Sequence, residues 1–472
     1  MWHGRRLDAP ALEALSASHA AELVAELPHN EAVQALAAMQ VAAAAEVTWA
    51  LLRRHEALAV SLLGRMNRSR SQPVVDALAA KFDWLSGLPT AAAEIERVEI
   101  EQGSGLGAKV GGLARAGTSA QGTTGFFRRY AHGQILWSPP GGPQIVPQAF
   151  VEYLAGTDGI DELVGFPLSP VTPSPPSPGF GTVGAFQHYE AINTYNPTVC
   201  KRLGYVCGAT VYRSVHGEFV TWDEIGEHYE HQGGAGSWLG FPVSDEAPAG
   251  PSRAAADRPG AGTYGTCQRF EGGTVYSLTK AGLVEVRRDI ADYHDRLGGA
   301  QGVLGFPVGG RKVAAISPFG TAGEFQRFEG GSDYPADIVS QWTAVEGIGG
   351  CTVYVSEPHG VHAVGAAIGA LYERMDGTGS WLGFPTSGEI DGRTGPDEDW
   401  RCYATFEGGA IYWTAPRGAV AVPRGVVDLL TGDTQLAQRL GFPIADEERV
   451  VFFEHGVVTI RDGVAEAWVR PA

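Results

Sequence analysis

Leu239-Gly240-Phe241-Pro242, Leu304-Gly305-Phe306-Pro307, Leu382-Gly383-Phe384-Pro385 and Leu440-Gly441-Phe442-Pro443 spell one phrase four times, and Val164-Gly165-Phe166-Pro167 is a fifth copy. Upstream of each stands an aromatic residue followed by a turn: Tyr130-Ala131-His132-Gly133, Tyr189-Glu190, Phe270-Glu271-Gly272-Gly273, Phe328-Glu329-Gly330-Gly331 and Phe406-Glu407-Gly408-Gly409. A sixth, Phe453-Glu454-His455-Gly456, follows the last phrase. From that aromatic to the Phe of Gly-Phe-Pro the distance is 36 residues in units one, three and five, 52 in unit two and 56 in unit four. Odd and even units therefore differ. The extra residues fall in 190–209 and 331–351 and carry Cys200, Cys207 and Cys351, and only the even units place Gly-Ser-Trp before the phrase, as Gly236-Ser237-Trp238 and Gly379-Ser380-Trp381.

Within a unit, Gly273–Ser277 and Gly282–Val286 are short runs of strand formers on either side of a turn, which predicts a β-hairpin. About fourteen residues of helix are expected next, ending in unit three at Gly298-Gly299. The Leu or Val of the phrase can plug a core while its Gly turns and its Pro stiffens the exit. One hairpin and one helix cannot bury both faces alone, so the units must pack on neighbours. A closed, propeller-like ring is the simplest solution, with residues 450–469 completing the first unit and no strand edge left bare.

Residues 8–98 differ from the rest: they are rich in Ala, Leu and Glu, with glycine only at Gly64 and Gly87. Leu12, Leu15, His19, Leu23 and Leu27 keep a helical spacing up to Pro28, and short apolar-faced pieces follow over 31–39, 43–53, 56–66 and 73–85. Pieces so short must stack to be stable. The predicted fold is a multidomain α+β chain: an all-α short-helix superhelix over 1–100, a flexible Gly/Ser/Thr linker over 101–125, and a five-repeat pseudo-symmetric ring of hairpin-plus-helix units over 126–472.

Composition narrows the function. The 472 residues include 65 glycines, a share that suits many tight turns, and a formal charge of -18 repels nucleic acid and anionic lipid. No stretch approaches the ~20 apolar residues of a membrane span. Five cysteines, odd in number, imply no disulfide framework. The start, Met1-Trp2-His3-Gly4-Arg5-Arg6-Leu7-Asp8, lacks the apolar run of a secretory signal, so a cytoplasmic location is expected; the alternative is the cell wall or exterior, reached by non-classical export, lysis or an injection or phage-like particle.

The five phrases resemble the LGFP-repeat family, found on cell-wall proteins of mycolic-acid bacteria, over about residues 126–469. That resemblance implies tethering to the wall polysaccharide, arabinogalactan. The family sometimes carries a mycolyltransferase domain, and no α/β-hydrolase pattern accompanies the repeats here. Ala21–Pro28 followed by Ala32–Met39 resembles the stacked short helices of the MgtE-type magnesium-transporter N-terminal domain.

Motifs for catalysis are few. There is no Gly-x-Ser-x-Gly elbow and no His-Glu-x-x-His zinc motif. Gly260-Ala261-Gly262-Thr263-Tyr264-Gly265 matches a dinucleotide glycine pattern but follows a loop and leads into a strand, the wrong order for a pyrophosphate site. His228 and Glu224 share a helix face that reads as solvated rather than metal-binding, and no cofactor is expected. Acids recur after the phrase, as Asp245-Glu246, Asp446-Glu447 and Glu389, and capping or turn bonding accounts for them better than glycoside hydrolysis.

Aromatic residues give the candidate site. Flat rings stack on the apolar faces of sugars, and the ligand-binding candidates are Trp238, Trp381, Trp222, Trp342, Tyr276, Tyr412 and Trp413. Trp238 and Trp381, confined to two units and flanked by Gly and Ser, are the first choices. The expected function is non-catalytic binding of a cell-wall polysaccharide by the ring, with the helical head as an adaptor for a protein partner. The alternatives are a protein–protein interaction scaffold, intracellular or particle-associated, and a glycan hydrolase.

Overall fold

The Ala/Leu/Glu-rich start folds as its periodicity predicts, into short helices that each bury one face. The computed structural model describes residues 8–470 apart from 80, 157–163, 192–207, 253–262, 331–349, 393–400, 415–416 and 448–449. Helices α1 (Ala9–Glu13), α2 (Ala17–Glu26), α3 (His29–Ala38), α4 (Val41–Arg54), α5 (Glu56–Arg65), α6 (Arg68–Ala79) and α7 (Leu88–Gln102) stack around Leu12, Val24, Leu36, Leu51, Leu63 and Val75. Asp8 and Ser16 cap α1 and α2 by accepting from Ala11 N and His19 N.

The stretch 101–125, expected as a flexible linker, is ordered structure. Helix α7 runs to Gln102, and β1 (Lys109–Thr118) pairs antiparallel with β2 (Thr124–Tyr130). Glycine serves close packing here, at Gly64, Gly87 and Gly112. A Cβ at Gly112 would strike Ser61, and one at Gly64 would lie 2.6 Å from Leu113 Cδ2. Gly87 faces Trp137 in the same way at 3.0 Å. The two glycines of the helical head are thus the seats on which the first sheet rests, and one continuous apolar core runs from α1 to Trp137. Polar ties reinforce it: Lys109, Arg128 and Tyr130 all converge on Glu99 of α7, at 2.6, 3.0 and 3.1 Å. Burial alone would push the Glu99 carboxyl up, and these three partners hold it below the usual carboxylate range. Head and first sheets are one compact body, Met1–Asp245, and Glu246–Ala472 is a second.

From β1 onward the chain makes six four-stranded antiparallel sheets, each with its strands in sequence order. They are β1, β2, β3 (Gly133–Ser138) and β4 (Gly142–Pro147); β5 (Thr172–Ser174), β6 (Gly184–Tyr189), β7 (Ala209–Ser214) and β8 (Gly217–Thr221); β9 (Ala247–Ala249), β10 (Gly265–Phe270), β11 (Gly273–Leu278) and β12 (Gly282–Arg287). Then come β13 (Lys312–Val313), β14 (Gly323–Phe328), β15 (Cys351–Ser356) and β16 (Gly360–Gly365); β17 (Ile390–Asp391), β18 (Arg401–Phe406), β19 (Gly409–Thr414) and β20 (Gly418–Pro423); and β21 (Pro443–Glu447), β22 (Val450–Phe453), β23 (Gly456–Arg461) and β24 (Val464–Val469). A nine-residue helix follows each of the first five: α8 (Gln148–Gly156), α9 (Asp223–His231), α10 (Arg288–Arg296), α11 (Ala366–Arg374) and α12 (Arg424–Gly432), the last continued by α13 (Thr434–Leu440). Residues 450–469 were expected to complete the first unit; they pair with β21 and among themselves as a sheet of their own, and β1 completes the first.

The phrase is a clip onto the next hairpin. Its glycine is left-handed, with φ of 73° at Gly165, 66° at Gly305, 67° at Gly383 and 76° at Gly441, a conformation that strongly favours glycine. That turn aims the Phe N–H at the Glu of the following aromatic-Glu pair: Phe166 N to Glu190 at 3.1 Å, Phe384 N to Glu407 at 2.8 Å and Phe442 N to Glu454 at 2.9 Å. The main chains close the ring from the other side. Glu190 N donates to Phe166 O at 3.0 Å, Glu329 N to Phe306 O at 2.8 Å and Glu407 N to Phe384 O at 3.0 Å. The preceding helix adds a polar tip: Tyr229 donates to Gly240 O and Tyr372 to Gly383 O, both at 2.5 Å, while His294 Nε2 reaches Gly305 O at 2.8 Å. Burial keeps His294 below its ordinary pKa, so the neutral ring donates this bond.

Leu106-Gly107-Ala108-Lys109 repeats the geometry without the letters. Leu106 is buried, Gly107 has φ 76°, and Ala131 N and His132 N donate to Ala108 O and Leu106 O, both at 2.9 Å. Every sheet therefore begins with a phrase, six in all.

Gly165→Ala tests the clip, because its Cβ would sit 2.8 Å from Glu190 Oε2, whereas Gly142 has a similar φ of 61° and open space. Gly142→Ala is expected to cost about 1–2 kcal/mol from backbone strain alone. Gly165→Ala should cost more, by an amount read as the difference in urea midpoints; equal losses would remove the carboxylate from the clip.

Candidate functional site

The aromatic candidates separate by their place in the sheet. Tyr276 on β11 and Trp413 on β19 are 5% and 4% exposed and cannot offer a face to a ligand. Tyr276 packs edge-on against Phe306 at 6.0 Å, and Tyr412 packs against Phe442 at 5.3 Å. Tyr276 is buried under the phenylalanine of the next phrase, and Tyr412 is half-buried against its own, burial pushing its hydroxyl up to about 12. Trp222 is half-buried against the core of sheet two, and Trp238 is half-buried. Trp342, like Cys200 and Cys207, lies outside the described residues. Trp381 is 42% exposed.

Trp381 is held flat by glycine. A Cβ at Gly409 would lie 3.1 Å from Trp381 Cζ3, so the indole covers the backbone of the β18–β19 turn. Phe319, 56% exposed, also meets the phrase, its Cδ2 2.9 Å from where a Cβ of Gly383 would be. Between them Glu407 accepts from Phe384 N at 2.8 Å, from the Thr321 hydroxyl and from His359 Nε2 at 3.0 Å. Two exposed rings, a fixed carboxylate and an imidazole thus gather around one phrase and its turn. Such a surface suits a flat ligand with apolar faces and hydroxyl edges.

Phe319 belongs to a repeated loop that composition did not reveal. Ser317 N donates to Thr321 O at 2.9 Å and Thr321 N returns a bond to Ser317 Oγ at 3.2 Å. Ser177 with Thr182, at 2.8 and 3.1 Å, and Ser119 with Thr123, at 2.9 and 3.2 Å, close in the same way, and Ser252 N donates to Thr263 O at 3.1 Å. Phe180 and Tyr264 are exposed at or beside their loops as Phe319 is. The legible signal was Ser-Pro-Gly-Phe-Gly-Thr over 177–182 against Ser-Pro-Phe-Gly-Thr over 317–321.

The recurrent acids hold backbone. Asp245 Oδ1 accepts from Val220 N at 3.0 Å and from the Tyr153 hydroxyl, and Glu389 Oε1 accepts from Gly365 N at 2.9 Å. His228 Nε2 is bonded to the Gln232 amide at 2.8 Å, a local helix contact. Among the described residues Cys267, Cys351 and Cys402 form no disulfide.

A family model described as LGFP repeat matches residues 239–302 and 382–430. Each match starts on the leucine of an even-unit phrase and runs through the sheet that follows it in sequence. No curated protein matches the chain.

Burial alone would push the Glu407 carboxyl up, but the Thr321 hydroxyl, Phe384 N–H, His359 ring and Ser317 hydroxyl outweigh it and hold it below its ordinary value of 4.5. Its contribution is therefore full above that value and lost as pH falls through the lower folded one. Glu407→Gln should cost about 1.5–3 kcal/mol at pH 7 by placing an amide donor against donors. Urea melts across the acid range should show the gap to wild type closing.

Proposed function

We propose that the chain is a non-catalytic polysaccharide-binding protein whose repeat modules hold a cell-wall polymer of the arabinogalactan kind. The observation that carries this reading is the pairing of exposed Phe319 and Trp381 across the phrase of a matched LGFP repeat. The clip supports it, since glycines and backbone-bonded acids keep both rings in place before any ligand arrives. The ring-like closure expected of the repeats belongs to the same proposal, as does a wall-associated location. Among the described residues no helix is long and apolar enough to cross a membrane.

Asp245 and Glu389 are occupied with backbone N–H groups, which favours binding over glycoside hydrolysis. An interaction scaffold is the second reading, favoured by Val313 and Ile316, which are 79% and 69% exposed beside Phe319. Aliphatic side chains of this kind suit a protein partner better than a sugar. The helical head, fused to the first sheet through Glu99, is proposed to carry a protein partner.

Phe319→Ala with Trp381→Ala should leave the melting temperature within a few degrees of wild type, because both rings face water. Sedimentation with purified wall arabinogalactan should show roughly tenfold weaker binding, the equivalent of about 1.4 kcal/mol for the lost faces. Unchanged binding would remove the pair from the site. Sugar release from the polymer over time would instead favour hydrolysis.

A further inference from the structure

A cavity of about 250 Å³ opens beside α11 of sheet four, away from Trp381. Its wall carries Glu373, Arg327, Phe325, Thr352 and Gly369. Glu373 is fixed at both oxygens: Oε1 accepts from the Tyr354 hydroxyl at 2.9 Å and Oε2 from Arg327 at 3.2 Å. Arg327 lies 5.8 Å over the Phe325 ring, which in turn meets Tyr354 at 5.9 Å and 35°. Gly369 lets the helix lie close on the end of β16, since a Cβ there would be 3.2 Å from Val364 O.

Sheet two repeats the set. Glu230 Oε1 accepts from the Tyr212 hydroxyl at 2.6 Å, and Phe186 meets Tyr212 at 5.6 Å and 35°. His188 takes the place of Arg327, 5.0 Å from Phe186 and bonded to Thr210 at 2.9 Å, as Arg327 is paired in register with Thr352. Gly226 takes the place of Gly369, a Cβ there falling 2.8 Å from Thr221 C. The odd modules lack the combination. At the glycine position of the helix they carry Val151, Ala291 and Val427, and at the glutamate position Ala155, Asp295 and Thr431. Glycine, glutamate and phenylalanine occur together only where the long insertions also occur.

We propose that the pocket beside α11 seats one sugar ring and that the matching residue set beside α9 forms a second seat. The inference rests on the polysaccharide reading above and adds two binding subsites to it. The carboxylate, already oriented by tyrosine, accepts from adjacent hydroxyls through its remaining lone pairs, and Arg327 or His188 donates to a ring substituent. The phenylalanine borders the apolar face of the ring. A volume under the ~300 Å³ of drug-sized sites fits a single ring and excludes a bulkier ligand.

Titration calorimetry of the full chain with soluble arabinogalactan, and with free arabinose and galactose as competitors, tests this. Glu230→Gln and Glu373→Gln should each weaken polymer binding about tenfold, and the double variant should lose competition by free sugar. His188→Gln with Arg327→Gln probes the opposite wall, should the first pair disturb folding. A double variant that melts and binds as wild type overturns the pockets while leaving the polysaccharide reading intact, provided that Phe319→Ala with Trp381→Ala still weakens binding. Failure of the wild type to bind any wall polymer overturns both.

Discussion

A left-handed glycine pressed against a carboxylate sets the repeat. The phrase must turn so that a phenylalanine N–H points at a glutamate in the next hairpin, and a side chain at the glycine would both strain the backbone and strike that glutamate. From this contact follow the burial of the phrase leucine, the seating of its phenylalanine on a core tyrosine, and the antiparallel bridge from its proline to the aromatic of the next turn, as in Pro307 with Phe328. None of these bonds is strong alone, at about 0.5–1.5 kcal/mol net each. Their recurrence from junction to junction within each unit is what makes short sheets and nine-residue helices stable together.

Function then has to sit where the repeat is irregular. The residue before the phrase is Trp238, Val303, Trp381 or Arg439, outside the clip and free to vary. The helix tip varies too, from Tyr229 and Tyr372 to His294, and with it the space beside the helix. Even modules gain a tryptophan, a helical glycine and a helical glutamate together, so two surfaces of different shape arise from one architecture.

The modules were legible in the sequence because the clip demands particular residue types: glycine for its φ, phenylalanine for its pocket and glutamate for its acceptor. Leu106-Gly107-Ala108-Lys109 was not, since backbone carbonyls carry that junction and carbonyls leave no letter. The stretch around it was taken for a linker for a related reason. Gly112 is required by the approach of Ser61, and flexibility and close packing look alike in composition. Tyr276 and Trp413 turn inward, which alternation alone does not tell, since it says which residues share a face and not which face meets the core. Trp381 stands exposed, because a bulky ring between serine and the phrase has no place in the repeat's interior.

Each phrase closes only on a hairpin that comes later in the chain, as Leu304–Pro307 does on Phe328–Gly330. During synthesis a module therefore stays unlatched until its successor has left the ribosome. The first phrase is the exception that suits this order, since its helix α7 is already anchored in the stacked head. The head thus works as a template end, from which latching proceeds in one direction along the nascent chain.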